Sequence, residues 1–274
     1  IDCLFTATSA TCVTGITVLD TFNYFNGFGQ GVILALIQVG GLGFLTLVTF
    51  INLILGKKLG WSTVKIAASD LTDNALETTP KRLFYEIVLY SFAIEFVGAV
   101  ILAFVFVPDF GALGIFEAIF LSVSAFCNAG FDLLDGFDGF RHDHLVGGTL
   151  IALIVLGGIG FIVWDDIVNL VFRHKSLSVY TKLVLRVTAV LILSGTTLIA
   201  FFEWNNADTI GGMNTGEKIF QSLFQSVTTR TAGIDLIGNT ALTDSSKLIC
   251  MFLMLIGGAS GSTAGGVKVG TLGV

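Results

Sequence analysis

The sequence predicts an all-α polytopic membrane protein made of repeated units, each a span, a short amphiphilic helix, a glycine turn and a second span. Three observations carry that expectation. Of 274 residues, 54% are hydrophobic and 12% are charged, with a mean hydropathy of +0.88; a soluble domain averages about 25% charged. Apolar stretches of bilayer length recur between polar connections. A turn with one glycine also occurs three times in matching surroundings, as Cys12-Val13-Thr14-Gly15-Ile16, Cys127-Asn128-Ala129-Gly130-Phe131 and Arg230-Thr231-Ala232-Gly233-Ile234.

The rest of the composition agrees. There are 33 glycines and 2 prolines, and glycine is common where membrane helices pack closely. The 25 phenylalanines would be an aggregation hazard in water and are ordinary against lipid. A net charge of −6 gives no nucleic-acid footprint. Cys3, Cys12, Cys127 and Cys250 form neither a CxxC nor a Cys/His cluster, so they read as small buried residues. Cys12 and Cys127 stand three residues before equivalent glycines, which suggests proximity. His142 and His144 alone make a weak metal case. The chain opens at Ile1 without an initiator methionine, as expected of a fragment.

In chain order, Ile1 to Ala10 reads as the end of a helix too short to span. Gly31 to Leu55, roughly 25 residues, is long enough to cross the hydrocarbon core. A basic connection runs from Lys57 to Arg82. Leu83 to Val107 is the second span, closed by Pro108-Asp109; it carries Glu95, a candidate functional residue or an interhelical hydrogen-bonding group. Gly114 to Phe126 is again too short to span, and Asp132, Asp135, Asp138 and Asp143 follow it. Val146 to Phe172 is the third span and Leu183 to Phe202 the fourth. Glu217 to Thr229 is the third short segment. The last apolar run, Leu248 to Ile256, covers only about 15 Å at 1.5 Å per residue before Gly257-Gly258-Ala259-Ser260-Gly261-Ser262-Thr263-Ala264-Gly265-Gly266-Val267-Lys268. Irregular backbone at membrane depth is tolerated where it is buried in protein or lines a wet cavity, so this broken helix reads as functional.

Nine of the 14 Lys and Arg residues lie in two connections, from Lys57 to Arg82 and from Arg173 to Arg186. The positive-inside rule places those in the cytoplasm and the glycine turns with their aspartates outside, where carboxylates concentrate cations. Aligning the glycines exposes the repeat. Phe5, Phe120 and Leu223 stand ten positions before them, and a glycine pair follows some two dozen residues later at Gly40-Gly41, Gly157-Gly158 and Gly257-Gly258. A repeat of this length is one supersecondary unit reused. The three turns read as pore loops lining one ion pathway, because a ring of backbone carbonyls can replace an ion's hydration shell and glycine alone adopts the needed backbone freely. The expected organisation is residues 1–58 as a first unit lacking its opening span, 59–82 as a cytoplasmic connection, 83–175 as a second unit and 176–274 as a third. A fourth unit would close a pseudo-four-fold ring and is absent from this sequence.

On these residues the chain resembles the Trk/Ktr/HKT superfamily of potassium transporters. Phe5 to Thr21 looks like its first pore loop, Ser124 to Phe131 its second and Thr229 to Gly233 its third. Gly257 to Thr271 is similar to its intramembrane gating loop, and Ile54 to Gly60 favours the KtrB-type branch. The resemblance implies K⁺ uptake, often with Na⁺, by a homodimer in the bacterial plasma membrane. It also implies a cytoplasmic KtrA-like regulatory ring that carries the nucleotide. K⁺ would sit at carbonyls of Cys12, Val13, Thr14, Gly15, Cys127, Asn128, Ala129, Gly130, Thr231, Ala232 and Gly233. Sodium-selective plant relatives carry serine at the position of Gly15, so glycine there favours potassium.

Single residues are weighed against plainer roles. Arg230, in a loop that attracts cations, is expected to brace neighbouring loops through carbonyls or a carboxylate. Lys268 is either a gate element or a lysine reaching the cytoplasmic interface. Gly40, Gly41, Gly157 and Gly158 are expected at helix packing sites, with gating confined to the third copy, Gly257 to Gly266 with Lys268. Gly261 to Lys268 lacks Gly-Lys-Ser/Thr and a preceding strand, so it is no nucleotide loop. No catalytic constellation appears, and an enzyme is not expected. A sodium-selective or unselective cation pathway is the serious rival, and a non-conducting scaffold subunit a more distant one.

Overall fold

The computed structural model describes residues 1–43, 80–134, 137–174 and 176–272. They form helices joined by irregular loops, and the only bridge of β type among them pairs Ile256 with Val267. The helices are α1 (Asp2–Thr11), α2 (Thr21–Tyr24), α3 (Gly27–Gly41), α4 (Pro80–Phe110), α5 (Leu113–Cys127), α6 (His144–Gly158), α7 (Phe161–Arg173), α8 (Val179–Glu203), α9 (Thr215–Thr228), α10 (Asp244–Leu255) and α11 (Val269–Leu272). Several of their starts are set locally by side-chain caps. Asn26 accepts from the amide of Gly29 to open α3, Asp143 from Leu145 and Val146 to open α6, Ser178 from Thr181 to open α8, and Thr243 from Ser246 to open α10. In α1, Thr6, Thr8 and Thr11 each donate to the carbonyl four residues back, so these three hydroxyls are satisfied within the helix.

Among the described residues two single helices are long and apolar enough to cross a membrane: α4 from Tyr85 onward, and α8. At 1.5 Å per residue the 25 residues of α8 reach about 37 Å. Their outer faces carry exposed Phe92, Phe96 and Phe104 on α4, and Leu193 and Phe201 on α8, as a lipid-facing surface does. The inner faces meet a core that includes Leu102, Phe106, Phe120, Phe126, Leu150 and Phe224. The packing repeats along the chain. α1 lies against α3, α5 against α4 and α6, and α9 against α8; α3 then packs on α5, and α6 on α9. Each closing helix thus touches the short helix of the next stretch.

Three expectations need correction. The third span does not run unbroken from Val146 to Phe172: it is α6 and α7, bent by 99° at Ile159-Gly160, where Gly160 has φ +89°. Loss of helix is also not confined to the third copy of the glycine pair. α3 ends at Gly41, with Gly43 at φ +81°. The physical reason is an approach by other backbone, described below. Finally, α4 does not close at Pro108-Asp109 but runs through Pro108 to Phe110. It ends at Gly111, whose φ is +63° and whose amide donates to the carbonyl of Val107 at 2.9 Å, a glycine stop. The remainder of the first span, the basic connection as far as residue 79, Asp135 and Lys175 lie outside the described residues.

Candidate functional site

The three glycine turns meet. Gly15, Gly130 and Gly233 have φ of +70°, +72° and +75°. A Cβ on Gly15 would lie 2.6 Å from the carbonyl oxygen of Ala129 and 3.3 Å from the Cα of Gly130. One on Gly130 would lie 2.8 Å from the carbonyl oxygen of Ala232 and 3.6 Å from the Cα of Gly233. The second turn therefore sits between the first and the third at backbone contact, and no side chain fits at Gly15 or Gly130.

The shared conformation extends further than the glycines. Val13 (φ +54°), Asn128 (φ +56°) and Thr231 (φ +79°), each two residues before its glycine, are also left-handed. Thr14, Ala129 and Ala232 between them are not. Alternating hand turns successive peptide planes in one sense, which lets the carbonyls of each strand face a common side. Such a φ costs a β-branched residue of order 1–3 kcal/mol, so Val13 and Thr231 hold it only because their surroundings enforce it. No sequence signal marked their left-handed backbone.

What enforces it is visible. α1, α5 and α9 all end at the turns, aiming their negative dipole ends at the meeting point. A hydroxyl in the last turns of each helix ties the loop back. Ser9 bonds Thr14 at 2.9 Å, the amide of Phe131 donates to Ser124 at 3.0 Å, and Thr228 donates to the carbonyl of Ile234 at 2.6 Å. The glycine pairs sit directly behind. A Cβ at Gly40 would fall 2.1 Å from the Thr11 carbonyl oxygen, at Gly41 2.2 Å from the Cys127 sulfur, and at Gly157 1.9 Å from the Phe126 carbonyl oxygen. Cys127 is buried there and Cys250 is buried elsewhere, whereas Cys3 and Cys12 are exposed, which corrects the expectation of four buried thiols.

Gly257 to Lys268 forms a compact loop against the second and third turns. Its ends are held together by the amide of Gly257 donating to Val267 at 3.1 Å and that of Val267 to Leu255 at 2.9 Å. The loop fills the break between α6 and α7. Ala259 and Thr263 donate their amides to the carbonyls of Gly158 (2.9 Å) and Gly157 (3.3 Å), and Phe161 donates to the carbonyl of Gly261 (2.9 Å). Ser260 receives the hydroxyl of Tyr180 from α8 at its carbonyl, 3.4 Å away. Within the loop Ser262 donates to the Ala259 carbonyl at 2.7 Å, its hydroxyl accepts from the Ala264 amide at 3.3 Å, and Lys268 donates to the Ala264 carbonyl at 2.7 Å. Gly266 supplies a left-handed turn at φ +72°, and Gly265 faces Thr231, whose Cγ2 is 4.0 Å from the Cβ position. A Cβ at Gly258 would meet the Gly158 carbonyl oxygen at 2.6 Å.

Two side chains fasten this loop to the turns. The buried hydroxyl of Thr263 accepts from Asn128 Nδ2 at 2.8 Å and donates to the Phe126 carbonyl at 2.8 Å. Arg230, 8% exposed, donates from Nη2 to the Gly257 carbonyl at 3.0 Å, a bracing contact. Sequence reasoning missed Asn128–Thr263 and Tyr180, because hydrogen bonds between residues 135 positions apart leave no local pattern.

On the other side of the turns a polar cavity of about 270 Å³ is lined by Thr17 to Thr21 with Gly130, Phe131 and Asp132. Burial, with Asp20 nearby, pushes the Asp132 carboxyl up to about 6. Asp235 is instead consumed by its own loop, accepting from the amides of Ile237, Gly238 and Asn239. His142 pairs with Glu217 at 3.6 Å and His144 packs on Phe220, so the two histidines turn to different neighbours.

A family model described as TrkH, cation transport protein, matches residues 1–273. The chain is 42% identical over 276 residues to the potassium/sodium uptake protein NtpJ of Enterococcus hirae, covering 100% of this chain and 60% of that protein. It is 40% identical over 278 residues to the Ktr system potassium uptake protein B of Bacillus subtilis, covering 99% of this chain and 61% of that one. The crystal structure of the potassium transporter TrkH from Vibrio parahaemolyticus superposes with a TM-score of 0.70 at 22% identity, over 98% of this chain and 52% of the other. The chain thus spans about 60% of the length of these curated relatives. With apolar spanning helices, meeting glycine turns and a match over almost its whole length, the chain is a multi-pass cell-membrane protein belonging to the TrkH family of cation transport proteins.

Proposed function

We propose that the chain supplies three quadrants of a potassium uptake pathway, with the three glycine turns as the selectivity filter. The observation that carries this is the contact of Gly15, Gly130 and Gly233 in one shared left-handed conformation. Carbonyls in such a ring replace water around a dehydrating ion without placing a fixed charge in lipid, and three converging helix ends add negative potential. K⁺ is the transported substrate, taken up from the side of Asp20 and Asp132. The names of the relatives, potassium uptake protein and potassium/sodium uptake protein, agree with this cargo and leave Na⁺ as a second ion.

Gly257 to Lys268 is the gate. It packs against the inner ends of the second and third turns and is held by hydrogen bonds that can be broken and remade, rather than by apolar packing alone. The same reading divides the chain into units at residues 1–58, 83–175 and 176–274 around the connection 59–82, closed into a pseudo-four-fold ring by a fourth unit. A homodimer and a KtrA-like nucleotide-binding ring in the cytoplasm complete the assembly, as the resemblance implies. The test is ion flux into proteoliposomes containing the full-length protein, under opposed K⁺ and Na⁺ gradients. Potassium-selective flux is expected. Equal K⁺ and Na⁺ flux would leave an unselective pathway, and no flux from folded protein would leave a scaffold.

A further inference from the structure

Glu95 is out of place for a residue of a membrane-crossing helix. It lies in α4, 3% exposed, and its carboxyl faces protein, not lipid. Oε1 accepts from Gln38 Nε2 of α3 at 3.1 Å and from the Cys127 thiol, at the end of α5, at 3.8 Å. Oε2 is buried without a hydrogen-bond partner among the described residues, and neither group bonded to Oε1 is positively charged. Burying such a carboxyl is costly, and an aliphatic residue, which accepts no hydrogen bond, would pack there more cheaply.

Its partners suggest the return. Gln38 is followed on α3 by Gly40, pressed on Thr11 and Val13 of the first turn, and by Gly41, pressed on the Cys127 sulfur of the second. α3 is therefore the wedge between the first two turns, and Glu95 grips both the wedge and Cys127 through one oxygen. Beside it, Ser122 of α5 donates to the Glu95 carbonyl at 2.7 Å, so the helix carrying the carboxyl is itself pinned to the pore-side helix. A group so placed ties α3 and the end of α5 together, the two helices that press on the first two turns, and ion discrimination in a carbonyl ring depends on the spacing and the field of its dipoles.

We propose that Glu95 is a positioning residue for ion selectivity, acting through Gln38 and Cys127 to hold the first two turns in register. The inference rests on reading those turns as a filter. It is tested on the full-length protein in proteoliposomes, comparing wild type with Glu95→Leu, Glu95→Gln and Gln38→Leu. The readout is the ratio of flux for the preferred cation to flux for the other, with thermal unfolding and detergent monodispersity as folding controls. Loss of one net hydrogen bond predicts a drop of about fivefold in that ratio for Glu95→Leu. Gln38→Leu should fall in the same direction, and Glu95→Gln, which keeps an acceptor oxygen, should retain the wild-type ratio. An undiminished ratio in folded Glu95→Leu or, if that variant does not fold, in Gln38→Leu overturns the inference while leaving the filter standing. Equal loss in Glu95→Gln and Glu95→Leu overturns it as well. A wild type that discriminates between no cations removes the filter reading and this inference together.

Discussion

Replacing Thr263 by valine tests whether the loop of Gly257 to Lys268 is a gate fastened to the filter. The swap removes one hydroxyl of nearly unchanged shape, and that hydroxyl makes two bonds of 2.8 Å, accepting from Asn128 and donating to the Phe126 carbonyl. Both bonds exist only while the loop is seated. In a displaced loop, water satisfies the same groups. At a net value of about 1 kcal/mol each, the seated state loses about 2 kcal/mol relative to the displaced one. The ratio of closed to open protein then falls about 30-fold. Potassium flux into proteoliposomes, measured without any regulatory partner, should rise by a factor approaching that ratio as long as the closed form dominates. Flux at or below the wild-type rate, from a variant that unfolds at the wild-type temperature, would refute the idea that this loop obstructs the pathway.

Other consequences are equally open to measurement. Gly15→Ala places a Cβ 2.6 Å from the Ala129 oxygen at φ +70°; backbone strain of about 1–2 kcal/mol and displacement of that carbonyl should lower K⁺ preference in competitive uptake, and unchanged preference would show that the carbonyl does not touch the ion. Asp132, pushed up to about 6 by burial and Asp20, is charged above that pH and neutral below it, so the KM for K⁺ should rise roughly threefold as the external pH falls through 6, the effect of about one kT of local potential. Asp132→Asn should abolish that step. The sign for stability is the reverse of a salt-bridged carboxyl: the folded protein binds this proton more tightly than the unfolded chain does, so its contribution weakens as pH rises from about 4 to about 6. Glu203→Ala deletes an acceptor for Thr243, Asn206 and Thr209 at the top of α8. It should destabilise the protein by about 3 kcal/mol in thermal unfolding, with ion preference intact.

What the sequence discloses and what it hides divide along physical lines. Helices and turns are local, so the short helices before the three turns and the single glycine in each were legible from spacing alone. The left-handed Val13, Asn128 and Thr231 were not, because nothing about a valine or a threonine announces a conformation that neighbours impose. The break between α6 and α7 was read as continuous helix for a related reason. Apolar residues run through it, and the two carbonyls released there are satisfied by a loop a hundred residues away. For Arg230 the sequence offers only the expectation of a carbonyl or carboxylate partner; that its acceptor is the Gly257 carbonyl had to be seen.

That break also bears on what an open pathway would look like to water. While the loop is seated, the carbonyls of Gly157 and Gly158 accept from Thr263 and Ala259. When it leaves, the same two oxygens turn from internal acceptors into a hydrophilic lining, and Asn128 and Arg230 are released beside them. If the loop is the proposed gate, its opening bares no dry apolar throat. Such an opening would uncover a wetted surface built from the latch itself, so water entering the vacated space would stabilise the open state and make hydration part of the gating equilibrium.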